Sequence, residues 1–197
     1  MAITIILVRH APHAHVGQRL SGRMPGLRLT DTGNRLADAV AARLSSEAIE
    51  AVEASPLERT MDTAERIAAA AGCAVEPAEA LIEIDFGDWT GRSFDELEDD
   101  PGWRHWNERR AEACCPGGER MADAQARFVE HLFASAARYS GTIAMVTHCD
   151  IIRAGVAYVL GVSLDHVHRF EVAPASITEL AVDRGGARLV QLNERVQ

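Results

Sequence analysis

Paired cysteines, positive charge and long apolar runs are all scarce in this chain of 197 residues. Its 4 cysteines, Cys73, Cys114, Cys115 and Cys149, form no CxxC pair, and Cys114 and Cys115 are adjacent. That spacing provides neither a disulfide framework nor a zinc pattern, and it points to a reducing, cytoplasmic setting. Against 29 acidic residues stand only 20 basic ones, for a formal net charge of −9. Such a deficit argues against nucleic acid or an anionic membrane as partner. A small anion stays open, because a few arginines can dominate their own pocket. The N-terminal apolar run has no basic residues before it and is too short for a signal peptide or a transmembrane span. Repeats and low-complexity tracts are also missing. With 47% hydrophobic and 25% charged residues, the composition is that of an ordinary globular chain, and the length suits a single domain over 1–197.

What is present is a series of short strands alternating with helices. Ile3–His10 carries Ile3, Ile5, Ile6, Leu7 and Val8, and near-continuous hydrophobicity fits a strand buried on both faces of a parallel sheet. It stops at Arg9 and His10, ahead of Ala11 and a proline that cannot extend the ladder. Thr30 or Asp31 caps a helix with Leu36, Ala37, Val40 and Leu44 at helical spacing. Ile49–Ala54 is a second strand. Ser55 and Pro56 are expected as cap and first residue of a helix that carries Met61, Ala64, Ile67 and Ala68 inward and closes at Gly72. A short third strand follows over 74–76, and Ser93 caps a brief helix ending at Leu97. From Asp99 to Gly118 the pattern lapses, and Trp103 and Trp106 mark the stretch as a lid or specificity excursion rather than a linker. A helix over 121–139 precedes Thr142–Thr147, a strongly apolar strand ending in His148. A buried helix over 151–160 and a hairpin of 176–182 with 188–192 complete the chain. The alternation predicts an α/β fold, a three-layer α/β/α sandwich around a mainly parallel sheet.

Two strands thus end alike, one in Arg9-His10 and one in Thr147-His148. As parallel neighbours they bring both histidines to one sheet edge, and open α/β sheets bind ligands at the carboxyl ends of their strands. Arg59, near a helix start, adds a third cationic group. Arg9, Arg59, His10, His148 and a helix N-terminus together describe a pocket for a phosphate dianion. Metal binding by His10, His13 and His15, or by His166 and His168, lacks a carboxylate or helix to fix ligand geometry. His13 and His15 are therefore expected on a surface loop, and His166 and His168 beside a helix start. A cysteine phosphatase requires five residues between its cysteine and arginine, whereas Arg153 follows Cys149 after three.

In chain order, the blocks LVRH (7–10), GRMPGLRLTDTG (22–33), SPLERTMDTA (55–64), LIEIDFGDWTG (81–91), PGGE (116–119) and THCDIIR (147–153) resemble signatures of the histidine phosphatase superfamily. Those signatures read LxRHG, GRxDxPLTxxG, SPLxRAxQTA, LxExxFGxWEG, PGGES and SHGGxxR, and the resemblance runs from Leu7 to Arg153. It implies the phosphoglycerate-mutase-like fold, with His10 as nucleophile and transient phosphohistidine, and with Arg9, Arg59 and His148 on the phosphate oxygens. It also implies Glu83 as general acid and then base; were Glu83 to fail that role, Asp85 or Glu119 would be the next carboxyl groups to test. Ser21 and Gly22 would add a hydroxyl and an amide, and Cys149 its backbone amide. No metal and no cofactor are implied. The implied partner is a small phosphorylated metabolite, and a homodimer is common among members. The departures are Ala11 for the glycine after the nucleophile, Pro12 and His13 for the polar residues beyond it, Arg120 for the serine of PGGES, and Cys149 for the glycine after the second histidine. These bear on substrate choice more than on chemistry. Hydrolysis is favoured over mutase-type phosphotransfer, because only 99–118 offers enclosing structure. A non-catalytic phospho-ligand binder is the reading from another class, and retention of His10, Arg9, Arg59, Glu83 and His148 weighs against it.

Overall fold

In the computed structural model, which describes residues 2–196, Ile3–Arg9 forms β1 inside a six-stranded sheet. The other strands are β2 (Ile49–Ala54), β3 (Val75–Pro77), β4 (Thr142–Thr147), β5 (Ser176–Asp183) and β6 (Gly186–Arg195), in the order β3-β2-β4-β1-β5-β6. The first four strands of that order are parallel to one another, whereas β5 runs antiparallel to β1 and pairs with β6 as a hairpin. Parallel neighbours require crossovers. The helices are α1 (Asp31–Leu44), α2 (Glu58–Ala71), α3 (Phe94–Glu98), α4 (Pro101–Glu108), α5 (Met121–Arg138) and α6 (Cys149–Leu160).

Side chains along β1 alternate between the two faces. Ile6 and Val8 join Val40 and Leu44 of α1 and Ala64 and Ile67 of α2 in one core. Ile5 and Leu7 join Phe128 and Leu132 of α5 and Ile151 and Ile152 of α6 in the other. The three layers are those the alternation predicted. Each fully buried Ile, Leu or Phe contributes about 1.5–3 kcal/mol, so β1 is clamped from both sides and the residues at its end are held firmly. Among the described residues, no helix is long and apolar enough to cross a membrane.

Some local details differ from expectation. Thr30 caps α1, accepting from the Gly33 amide at 3.0 Å. Ser55 does not cap α2: the cap is Leu57, without a side-chain bond, and the helix begins at Glu58 rather than Pro56. The Ser55 hydroxyl is instead 2.8 Å from His148 Nε2, a long-range partner that outcompetes the local cap. Met61 is only half-buried. Cys149 opens α6, two residues ahead of the expected start. The 99–118 excursion contains a true helix, α4, capped by Asp100 and started by Pro101. Its Trp106 is wholly buried in the main core, so the excursion is anchored to the body of the protein. Gly33 fixes the loop that follows β1. A Cβ there would lie 2.0 Å from the Pro12 carbonyl oxygen, which also accepts from the Thr30 amide at 3.0 Å.

Candidate active site

The register of β1 and β4 places Arg9 opposite Thr147, so His10 and His148 leave the sheet side by side. The His10 amide donates to the Thr147 carbonyl at 2.9 Å, and the two imidazole centroids are 5.2 Å apart. A cavity of ≈ 340 Å³ opens here, lined by Arg9, His10, Ser21, Gly22, Arg59, Glu83 and Cys149 among others.

His10 is buried, with Nδ1 2.9 Å from the Ala11 carbonyl oxygen. A carbonyl only accepts, so Nδ1 carries the proton and Nε2 keeps its lone pair. Burial first, then the charges of Arg59 and Arg9, hold its pKa well below the usual histidine value. The ring is therefore neutral at neutral pH.

His148 is wholly buried and, contrary to expectation, is not among the residues that line the cavity. Arg59 Nη2 donates to its Nδ1 at 3.3 Å, which leaves the Nε2 proton for Ser55. Burial, followed by Arg59 and His10, lowers its pKa as well. Arg59 is 1% exposed. Its Nη2 also donates to the Gly22 carbonyl at 2.6 Å, so Gly22 supports the guanidinium through its oxygen. Arg9 Nη1 donates to the Val172 carbonyl at 2.7 Å. Among the described residues, Arg9 Nε, Arg59 Nε, Arg59 Nη1 and the Ser21 hydroxyl are buried without any partner. Buried unpaired donors are costly, and an anion that enters the cavity relieves that cost.

Glu83 accepts from the Ile84 amide at 3.0 Å through Oε1, and Oε2 lies 3.9 Å from His148 Nδ1. Burial, then the Asp150 charge, pushes its pKa up to about 7, against the pull of the Ile84 amide, Arg59 and Arg9. The carboxyl is half protonated near neutrality. Its backbone is also held: Arg23 Nε donates to the Glu83 carbonyl at 2.8 Å and Arg127 Nη2 at 3.4 Å. Glu119 anchors both arginines, at 3.0 Å and 3.1 Å. The PGGE loop lies directly against this segment, since a Cβ on Gly118 would sit 2.3 Å from the Asp85 carbonyl oxygen. Asp85 and Glu119 are outside the cavity lining, whereas Glu83 and Asp150 are the two carboxyl groups within it.

Other expectations sort as follows. Cys149 lines the cavity, but its thiol donates to the Val172 carbonyl at 3.6 Å and burial pushes its pKa up to about 11. It is a protonated thiol rather than a nucleophile. Cys149→Ser should keep activity within about threefold, because only the side chain of one wall residue changes. Complete loss in a protein with native circular dichroism would reinstate cysteine chemistry. His13 is not a surface residue: it is 6% exposed, its ring lies tilted with its centroid 5.1 Å from that of His10, and burial followed by Arg59 lowers its pKa to about 4. The loop folded back by Gly33 and Pro12 buries it. His15 is half-buried. His166 and His168 lie within a 3-10 turn over Leu164–Arg169, and His168 lines the cavity. Among the described residues, no cluster of three or more histidines, cysteines or carboxylates is arranged to hold a metal.

Trp103, from the excursion marked as a lid or specificity element, lines the cavity, whereas Asn107, Arg110, Asp150 and Arg153 were not singled out in the sequence. One signal was present: Asp150 stands at the second glycine of SHGGxxR. The chain also has no lysine, so every basic side chain of the pocket other than histidine is a planar guanidinium.

A buried imidazole with a free lone pair beside unpartnered arginine donors, at the carboxyl edge of a parallel sheet, defines an α/β enzyme built to handle phosphoryl groups. The chain belongs to the histidine phosphatase superfamily (branch 1), whose profile it matches over residues 5–195, and it is a phosphatase enzyme. It is 32% identical to phosphoserine phosphatase 1 of Hydrogenobacter thermophilus, over 97% of this chain and 92% of that protein. It is likewise 32% identical to the 2,3-bisphosphoglycerate-dependent phosphoglycerate mutase of Thermoplasma acidophilum, over 91% of this chain and 88% of the mutase. Among solved structures, a mycobacterial glucosyl-3-phosphoglycerate phosphatase superposes with a TM-score of 0.86 at 28% identity, covering 98% of this chain and 99% of the other.

Proposed function

We propose that the protein hydrolyses a small phosphomonoester through a phosphohistidine formed on His10. The observation that carries this reading is the neutral His10, its Nε2 free, facing unpartnered donors of Arg9 and Arg59. In the first step His10 Nε2 attacks phosphorus, the ester P–O bond breaks, and protonated Glu83 gives its proton to the departing oxygen. In the second step the Glu83 carboxylate takes a proton from water, the water oxygen attacks phosphorus, and the P–N bond breaks. Arg9 and Arg59 bind the equatorial oxygens, where the charge of the transferring group is spread. His148 accepts from Arg59 through Nδ1 and so orients that guanidinium. Phosphomonoester hydrolysis demands on the order of 20 kcal/mol of catalysis, so these groups act as a unit. The free Cys73, Cys114, Cys115 and Cys149 support a reducing, cytoplasmic setting.

Guanidiniums supply the positive charge that a metal would otherwise bring. Phosphate release from p-nitrophenyl phosphate should therefore continue at an unchanged rate after exhaustive EDTA treatment. A rate abolished by EDTA and restored by zinc or magnesium would overturn the proposal.

A further inference from the structure

Three imidazoles meet at this edge of the sheet, and the steps above use two of them, His10 and His148. The third, His13, is one of the departures from the family signature, so its role has to be read from this chain. It lines the same cavity, with its ring plane inclined at 37° to that of His10. Its backbone is pinned by distant and local partners. His13 pairs with Leu29 in an antiparallel bridge, and its carbonyl accepts from the Val16 amide at 3.2 Å. The ring is set as well. The His15 amide donates to Nδ1 at 3.3 Å, so Nδ1 holds a lone pair and the proton of the neutral ring sits on Nε2. Burial, then Arg59, His15 and Arg9, lower its pKa to about 4, which keeps the ring neutral at neutral pH. His10 and His13 therefore carry opposite tautomers: His10 offers a lone pair at Nε2, and His13 offers an N–H at the same atom.

Resting on the hydrolytic reading above for what the cavity holds, we propose that His13 is a phosphate-binding residue, donating its Nε2–H to a non-bridging oxygen of the phosphoryl group seated on His10. Reach is the first argument. A phosphorus in line for attack lies about 3–3.5 Å from His10 Nε2. A ring with its centroid 5.1 Å from that of His10 is near enough to meet one of its oxygens. Charge is the second. Arg9 and Arg59, whose unpartnered donors await the dianion, line the cavity with His13 and act on its ring. A third cation held there would repel both guanidiniums, whereas a neutral imidazole adds a donor without adding charge. Satisfaction is the third. With Nδ1 already engaged, the ring has one polar group left, and an oxyanion is the acceptor this cavity is built to hold.

His13→Phe and His13→Gln separate the donor from the ring. Both remove the acceptor of the His15 amide, so that loss cancels in the comparison. Glutamine carries an amide N–H close to where imidazole Nε2 stands, and phenylalanine fills the site but donates nothing. Calorimetry with inorganic phosphate on the His10→Ala protein reads the contact of His13 with the anion directly, because no nucleophile remains for it to act through. A hydrogen bond to a charged group is lost with phenylalanine, so binding should weaken at least about 10-fold. Glutamine keeps a donor and should hold binding within about threefold. His13→Leu, smaller and equally without a donor, should repeat the phenylalanine result. With His10 intact, kcat/KM for p-nitrophenyl phosphate should fall with phenylalanine and recover with glutamine, in proteins of native circular dichroism. Phosphate binding unchanged by His13→Phe, or weakened equally by phenylalanine and glutamine, would overturn the assignment, since the ring would then act by packing or through His10. A difference between the two in binding, with no hydrolysis of any ester by the unsubstituted enzyme, would sink the hydrolytic reading and leave His13 as an anion ligand. Hydrolysis of p-nitrophenyl phosphate with no such difference would do the reverse.

Discussion

His10→Ala is expected to lower turnover by more than about 10⁴-fold, the scale on which removal of an enzyme nucleophile is felt. The fold should survive. The backbone bond that fixes this position, from the His10 amide to Thr147, does not involve the ring, and β1 is clamped by Ile5, Ile6, Leu7 and Val8 on its two faces. The loss should therefore be chemical. Rapid quenching of the unsubstituted enzyme with a ³²P-labelled ester should trap a phosphoryl-protein that is labile to acid and stable to base, as a phosphoramidate is. The alanine protein should trap none. A labelled species of the same amount and lability in the alanine protein would move the nucleophile elsewhere, with His13, whose ring centroid is 5.1 Å from that of His10, the first residue to test.

The parts of this site that were legible in the sequence are those whose cause is local or repeats along a strand. β1 and β4 read as continuous apolar runs because both faces are buried, and parallel pairing then brings His10 and His148 together without further information. Thr30 could be read as a cap because its partner, Gly33, lies three residues away. Ser55 misled for the opposite reason, since the bond that decides its role runs to His148, far along the chain. The burial of His13 depends on a loop held by Gly33 and Pro12, and loop closure leaves no periodic trace. Trp106 was legible as unusual but not as core, because α4 is too short to display a helical stripe. The cluster of Arg110, Asp150 and Arg153 joins the excursion to α6, and only the folded chain shows that their charges meet.

Glu83→Gln separates the leaving group's need for a proton from every other demand on the site. Glutamine preserves shape and still accepts from the Ile84 amide, the bond that orients the side chain, but it has no acidic proton to give. General acid catalysis is worth about 10²–10⁴-fold. A loss in that range is expected for an alkyl phosphate, whose alkoxide leaves poorly unless protonated. With p-nitrophenyl phosphate the phenolate leaves readily by itself, so the phosphorylation step should slow far less. A pre-steady-state burst of p-nitrophenol isolates that step from dephosphorylation, where the carboxylate is still wanted as base. The pH profile carries the same signature. Burial and the Asp150 charge raise the Glu83 pKa to about 7, so the acid form is present below that pH and is lost as pH rises through it. For an alkyl ester, kcat/KM, which reports the free enzyme, should fall above about pH 7, and Glu83→Gln should flatten that limb. His10 sets no opposing limb in this range, because its pKa is held well below the ordinary value and the ring is already neutral. Equal losses in the phosphorylation rate for the two esters, with the falling limb intact in the glutamine protein, would take the acid role away from Glu83. Asp150, the other carboxyl group that lines the cavity, would be next to test. It is a poor acid, since Arg110 and Arg153 hold its pKa below the usual carboxylate value despite its burial. That contrast is the physical basis for assigning the proton to Glu83: one carboxyl is kept charged by two guanidiniums, and the other is raised to working pH partly by that charge.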